Sequence, residues 1–306
     1  MTLASIAFKT EFAVDMTCQN CVNAVQSSLR DVSGIERYDI DLENKRVTII
    51  GKTPPSNLLS ALKSTNRQVI VRGSSPSDPN FASTFPQTAA VSILESPISL
   101  PTSIASTSNP VLANSPSTSS PSSSSIPTKT QLFENLQQPL PGMNEEEFSQ
   151  KVFGIARFLQ IEPSTILLDL TVRLPPPSAV GLGHGPEKWK VYISQTGNIT
   201  NPPSTTGKPL MELGEVELDK NGYGDMFKEI KGELWEWVGR GCIVQSSYSP
   251  QQLQQSSDSR DKGLGKIFAG VVARSAGAWG NEKTVCACSG RTMWEEGRDM
   301  EKKTKL

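Results

Sequence analysis

Hydrophobic and polar positions change rhythm several times along the chain, and each rhythm predicts a different kind of element. Phe8 to Val14 has the composition of a strand. After Cys21, residues Val22, Val25, Leu29 and Val32 recur at spacings of three and four, the single apolar stripe of an amphipathic helix, and Gly34 supplies its stop. Tyr38, Ile40 and Leu42 alternate as a second strand. Glu43-Asn44-Lys45 predicts a tight turn, with Val47 and Ile49 as the third strand beyond it. Pro54 and Pro55 open a second helix carrying Leu58, Leu59 and Leu62, and Gln68 to Val71 closes with a fourth strand. The order β-α-β-β-α-β is the ferredoxin-like plan, an α+β domain placed at residues 5–73.

The pattern then breaks. Ser74 to Asn80 is polar and interrupted by proline, which predicts a linker over 74–85. Ala89 to Leu94 reads as a short apolar strand, and residues 96–130 are dominated by Ser, Thr and Pro. Such a segment has too little apolar content to offset the entropy of ordering, so a disordered insertion acting as a tether is expected. From Lys151 the chain turns strand-rich: Val152–Gln160, Ile166–Leu174, Trp189–Ser194, Cys242–Ser246 and Lys266–Ala273. Asn221-Gly222 is a strong hairpin-turn signal within the stretch that starts at Glu215. Many short strands with little helix predict an all-β antiparallel sandwich or barrel, placed at 86–278, with a tail over 279–306.

Composition narrows the function. With 30 basic and 31 acidic residues the net charge is −1, which gives no electrostatic case for nucleic acid or a membrane surface. No apolar run approaches the ~20 residues needed to span a bilayer. The first residues, Met1 to Ala7, lack a basic stretch followed by a long apolar one, so a secretory signal is not expected and a cytoplasmic, reducing location is. The single histidine, His184, excludes a multi-histidine metal centre. The five cysteines are too few for a disulfide scaffold and fall as Cys18 with Cys21, Cys286 with Cys288, and Cys242 alone.

Met16-Thr17-Cys18-Gln19-Asn20-Cys21 is the richest stretch chemically. A loop feeding a helix N-terminus favours anions and lowers a thiol's pKa. Two such thiolates can close on one soft ion such as Cu(I), form a redox disulfide, or make half of a zinc site. Placed between strand one and helix one of a β-α-β-β-α-β unit, Met16-Thr17-Cys18-x-x-Cys21 resembles the heavy-metal-associated domain of copper chaperones and copper-transporting ATPases. A thioredoxin-like site would come with a larger domain, an aromatic before the first cysteine and Gly-Pro between the two; here Thr17 precedes and Gln19-Asn20 intervenes.

The second region resembles the copper/zinc superoxide dismutase family, an all-β Greek-key sandwich or barrel. The likeness is carried by Ala90-Val-Ser-Ile-Leu94, Val152 to Phe158, Leu213-Gly214-Glu-Val, Asp219-Lys-Asn-Gly222, Val238-Gly239-Arg240 and Ala269 to Ala273. The last two resemble the segments through which these proteins pair. Against that likeness, Tyr192 and Ser194 stand where the family's strand carries His-x-His for copper. The zinc-loop histidines are missing, and neither cysteine of the internal disulfide is evident. The resemblance therefore implies neither dismutase chemistry nor zinc. Cys242, in Gly-Cys-Ile-Val, is expected to be a buried structural thiol, and His184 an exposed loop residue.

In the tail, Cys286-Ala-Cys288 places two thiols on one side of an extended chain, with Cα atoms roughly 6.6 Å apart at ~3.3 Å per residue. That lies near the ~6.8 Å upper limit for an unstrained disulfide, so shared chelation of Cu(I), or attack on a partner chain's cysteine, is easier.

The three parts in this order resemble the superoxide dismutase copper chaperones, which are not enzymes. The resemblance implies Cu(I) as cofactor, held by Cys18, Cys21, Cys286 and Cys288. It implies copper/zinc superoxide dismutase as partner in a heterodimer, docked through Gly197, Gly239, Arg240 and Val272, and a homodimer in its absence. A cytoplasmic site with a fraction in the mitochondrial intermembrane space goes with it. Two other classes stay open: a copper-independent thiol-disulfide oxidoreductase using the same cysteines, and a degenerate superoxide dismutase.

Overall fold

A computed structural model describes residues 3–78, 80–81, 88–97, 152–174, 188–246, 267–275, 277, 292, 294–295 and 298. Most of the Ser/Pro-rich insertion, His184, Cys286 and Cys288 lie outside the described residues.

The first unit is the ferredoxin-like arrangement. Its elements are β1 (Phe8–Val14), α1 (Gln19–Arg30), β2 (Ile35–Asp41), β3 (Arg46–Gly51), α2 (Pro55–Lys63) and β4 (Val69–Pro76). The strands form an antiparallel sheet in the order β2-β3-β1-β4. The helical stripe does what its spacing requires: Val22, Val25 and Leu29 of α1 and Leu58 and Leu62 of α2 bury against Phe12, Val14, Val47 and Ile49 of the sheet. Gly34 turns the chain out of α1 toward β2 at φ 87°, a left-handed conformation open to glycine, and a Cβ there would meet Leu3 and Thr53 at 2.8 Å. Two boundaries differ from expectation. Helix α1 begins at Gln19, so Cys21 sits in its first turn rather than ahead of it. Strand β4 runs on through Ser74 and Ser75 to Pro76, into the stretch read as linker, because Thr10, Lys9 and Phe8 of β1 offer it pairing partners.

The second unit is nearly all strand. It comprises β5 (Ala89–Glu95), β6 (Val152–Glu162), β7 (Thr165–Arg173), β8 (Lys188–Ser194), β9 (Pro209–Glu217), β10 (Tyr223–Lys231), a one-turn helix α3 (Leu234–Trp237), β11 (Gly241–Ser246), β12 (Ile267–Val271) and β13 (Ala273–Arg274). All described pairings are antiparallel, in the order β10-β7-β6-β5-β12-β11-β8-β9, with β13 on β5. The path is that of a nearly closed, barrel-like sandwich, as expected. Its interior holds Trp189, Phe153 and Phe268 in a tilted stack, and Phe158 edge-on to Trp237 at 5.7 Å and 85°.

The Asn221-Gly222 turn is present, with Gly222 at φ 76° and its N–H on the Asp219 carbonyl at 3.0 Å, yet it closes no hairpin. Strand β9 pairs with β8, and β10 with β7, so the turn carries the chain from one half of the sandwich to the other. Turn chemistry fixed the bend; the strands' partners were set by packing elsewhere.

Candidate metal site and docking face

The Cys18–Cys21 loop is anchored from below. Met16, 1% exposed, inserts into the core of the first unit, and the Asp15 N–H bonds Gln68 O at 3.0 Å, tying the loop to the α2–β4 turn. Cys18 is the N-cap of α1 with extended backbone, and its carbonyl accepts the N–H of Cys21 at 3.0 Å. Helix geometry then brings the two side chains to one end, Sγ to Sγ 3.4 Å, with Cys18 exposed and Cys21 buried. That separation far exceeds a disulfide's ~2.05 Å, so both are free thiols facing a common point.

The Cys21 thiol is lowered to about 6, by hydrogen bonding from the Thr17 backbone first, then from the Arg67 side chain and from Cys18. The direction is the one expected of this loop, and its largest causes are these specific donors. Arg67 was not foreseen. Its guanidinium is steadied by Thr65 O at 2.8 Å, in a turn where Asn66 adopts φ 57°. The available signal was topological: in a ferredoxin-like unit the α2–β4 turn lies at the same end as the β1–α1 loop. Beside it, Trp294 and Arg298 of the tail rest on the same end. Gln68 Nε2 donates to Trp294 O at 2.7 Å, the Lys45 ammonium stands 5.7 Å from the Trp294 ring centre, and Arg298 reaches Gln68 Oε1 at 3.4 Å.

In the second unit Tyr192 and Ser194, on β8, are engaged in hydrogen bonds within the sandwich. Tyr192 donates to Gln245 Oε1 at 3.2 Å, and Ser194, fully buried, donates to Thr196 O at 2.7 Å and accepts from the Gly241 N–H at 3.1 Å. No group of three or more His, Cys, Asp or Glu gathers among the described residues. Cys242 is fully buried in the core, and desolvation pushes its thiol up to about 12.

The residues expected to dock a partner meet at one end of the sandwich. Gly197 lies so close to Gly239 that a Cβ on it would come within 2.0 Å of the Gly239 carbonyl oxygen. Arg240 donates to Glu236 O at 2.6 Å and also to Gln195 O, so its side chain braces the two loops. Together with Leu210, Trp235 and Val238 they line an open depression of ≈ 420 Å³. The Val272 side chain is completely buried, while its backbone holds Gly239 N–H and Arg240 O at 2.8 Å each. It supports this face without presenting a side chain to it. Trp235, 65% exposed, lines the same depression and was not among the residues expected there. On a single turn, Leu234 and Trp237 share the buried side, which leaves Trp235 pointing outward.

A ferredoxin-like unit carrying a thiol pair, joined to a nearly all-strand sandwich, is the build of proteins named as copper chaperones, which are metallochaperones. Residues 11–75 match the model of the heavy-metal-associated domain family. The superoxide dismutase 1 copper chaperone of Debaryomyces hansenii is 30% identical over 95% of this chain and 94% of its own, and that of Saccharomyces cerevisiae 26% identical over 95% of each. Among solved structures, the copper(I)-loaded first domain of the human copper chaperone for superoxide dismutase is 36% identical, covering 24% of this chain and 99% of that one, with TM-score 0.22. The chain belongs to the superoxide dismutase copper chaperone family. No helix among the described residues is long and apolar enough to cross a membrane.

Proposed function

We propose that this chain captures Cu(I) on Cys18 and Cys21, docks immature copper/zinc superoxide dismutase as a heterodimer, and hands on the metal through Cys286 and Cys288. The observation that carries the capture step is the 3.4 Å approach of two free thiols, one of them poised as thiolate near neutral pH. Soft thiolates in low number suit Cu(I) and leave zinc short of its usual four ligands. The functional units are the metal-binding domain, whose last strand ends at Pro76, a linker reaching to residue 85, the dismutase-like domain at 86–278 and the thiol tail at 279–306.

Docking uses the face around Gly197, Gly239 and Arg240, with Trp235 as the apolar anchor and Val272 as its backing. Dismutases pair through matching surfaces, so a chain carrying the same surface replaces one subunit, or pairs with its own copy when the client is absent. Once docked, the tethered thiols act at high effective concentration. Transfer of Cu(I) is ligand exchange: sulfur–copper bonds to the chaperone break as bonds to the client's ligands form, with no change of oxidation state.

In the disulfide branch, a tail thiol and a client thiol form a mixed disulfide, losing two electrons and two protons to an external oxidant of the dioxygen class. The client's second thiolate then attacks the mixed disulfide and releases the tail thiol. Contact of Trp294 and Arg298 with the metal-binding unit favours a tail that works close to Cys18 and Cys21. The Cys286→Ser/Cys288→Ser variant tests this branch: it should retain copper at the first pair yet fail to activate the client. Unchanged activation and unchanged client disulfide formation would exclude the tail. Mass spectrometry of protein purified under reducing conditions addresses the thiol-oxidoreductase alternative, since bound Cu(I) is expected here and is not needed there.

A further inference from the structure

Helix α2 has no cap of its own. Pro54 occupies the N-cap position and can bond no helical N–H through its side chain; Pro55 has no N–H and Asn57 N–H bonds Pro54 O at 3.1 Å, so the Ser56 N–H is the first-turn donor that needs an outside acceptor. The acceptor comes from the other unit of the chain. Asp169, on β7 of the sandwich, takes the Ser56 N–H on Oδ2 at 3.0 Å and the Ser56 hydroxyl on Oδ1 at 2.6 Å. Arg157 of the neighbouring β6 approaches Oδ2 at 3.3 Å.

The placement of Asp169 is otherwise hard to account for. Its neighbours Leu168 and Leu170 point into the sandwich core, which puts Asp169 and Leu167 on the outer face of the sheet. Both are nonetheless buried, Asp169 at 3% exposure, because the metal-binding unit covers them. Around them Leu159, Ile161 and Leu167 of the sandwich pack on Ala4 and Phe8 of the first unit. Apolar packing of this kind is non-directional and holds two bodies together without fixing their angle. The Ser56–Asp169 pair is directional and two-point, and so selects one orientation.

That orientation has consequences for the thiols. Ser56 lies at one end of α2 and Arg67 just beyond the other, so a nine-residue helix of about 13 Å separates the contact from the Cys18–Cys21 end. The capped strand β7 also lies in the β10-β7-β6-β5 half of the sheet path, while Gly197, Gly239 and Arg240 flank β8 and β11 in the other half. With the metal-binding unit seated on β6 and β7, Gly239 and Trp235 remain exposed.

We infer that Asp169 is a positioning residue for copper delivery: by capping α2 across the boundary between the two units, it sets the direction in which the Cys18–Cys21 end projects. The inference rests on the chaperone reading above. Losing a buried two-point hydrogen bond of this kind shifts the balance of seated and unseated orientations about tenfold.

The test uses the full chain and three variants: Asp169→Ala, Asp169→Asn, which keeps one acceptor oxygen in place, and Ser56→Ala, which leaves the sandwich untouched. Residual dipolar couplings report the relative orientation of the two units, chelator competition reports Cu(I) affinity, and the initial rate of dismutase activation from copper-loaded protein reports delivery. The expected result is loss of the common alignment in Asp169→Ala, partial loss in Ser56→Ala, whose backbone N–H still bonds Oδ2, unchanged Cu(I) affinity, and activation slowed by up to about tenfold in Asp169→Ala and by less in Ser56→Ala, with Asp169→Asn closer to wild type. Unchanged alignment, or changed alignment with unchanged activation, would overturn the positioning role. Failure of the wild-type protein to activate the client would instead overturn the chaperone reading, and the alignment data would still decide whether Asp169 fixes the orientation.

Discussion

Truncating Trp235 to alanine tests the docking face most sharply, because this side chain contributes little to the fold and should contribute much to association. It is 65% exposed, and its one polar contact is to the neighbouring Glu233 carboxylate. A tryptophan carries roughly 250 Å² of surface, so about 160 Å² is available to a partner. At ~25 cal/mol per Å² its burial is worth at most about 4 kcal/mol. Interface anchors that lose their side chain generally cost about 2 to 4 kcal/mol, so we expect 2 to 3 here, a dissociation constant raised roughly 30- to 150-fold. Folding stability should change by no more than about 0.5 kcal/mol, since little is buried in the isolated chain. Titration calorimetry of wild-type and Trp235→Ala protein against metal-free superoxide dismutase, with thermal melts of each, measures both quantities. A change in affinity below threefold with an unaltered melt would refute the assignment of this face.

Other substitutions and conditions separate the parts of the account. Gly197→Ala places a methyl within 2.0 Å of the Gly239 carbonyl oxygen, so the two loops must part; client affinity should fall while Cu(I) affinity, measured by chelator competition, stays the same. Thiol alkylation followed by mass spectrometry should show Cys21 reactivity rising through about pH 6 as its proton leaves, with Cys242 unmodified to pH 9 in the folded protein because its thiol is held near 12. Equal labelling of the two would contradict the described environments. Phe158→Ala removes a fully buried ring and its edge-on contact with Trp237, and should cost about 3 to 5 kcal/mol in denaturant unfolding of the sandwich.

The sequence announced what depends on local spacing and concealed what depends on distant partners. The stripe of Val22, Val25 and Leu29 predicted α1, and the alternation around Tyr38 to Ile49 predicted a strand pair, since each pattern is the direct image of one buried face. The Cys18–Cys21 pair was legible for the same reason. Arg67 was not, because its contact with Cys21 spans the whole domain and only the closed topology creates it. Asp169 sits in an apolar run and gives no sign that a helix from another unit needs it. Trp235 and Trp237 look equivalent in sequence; a single turn of helix decides that one is buried and the other displayed. Val272 belongs to a segment beside the face proposed for docking while its own side chain turns inward, which sequence alone does not reveal. The Asn221-Gly222 turn misled in a related way: its chemistry specifies a bend and says nothing about which strands the flanking residues join.

The central claim is that copper held by Cys18 and Cys21 reaches a docked dismutase. Copper-loaded protein incubated with metal-free superoxide dismutase, under a Cu(I) chelator strong enough to remove free metal, tests it directly when client activity and disulfide state are followed together. The account predicts that wild-type protein produces an active, disulfide-bonded client and that the Cys18→Ser/Cys21→Ser variant, treated identically, does not. Equal activation by that variant, or no activation by the wild type, would contradict it.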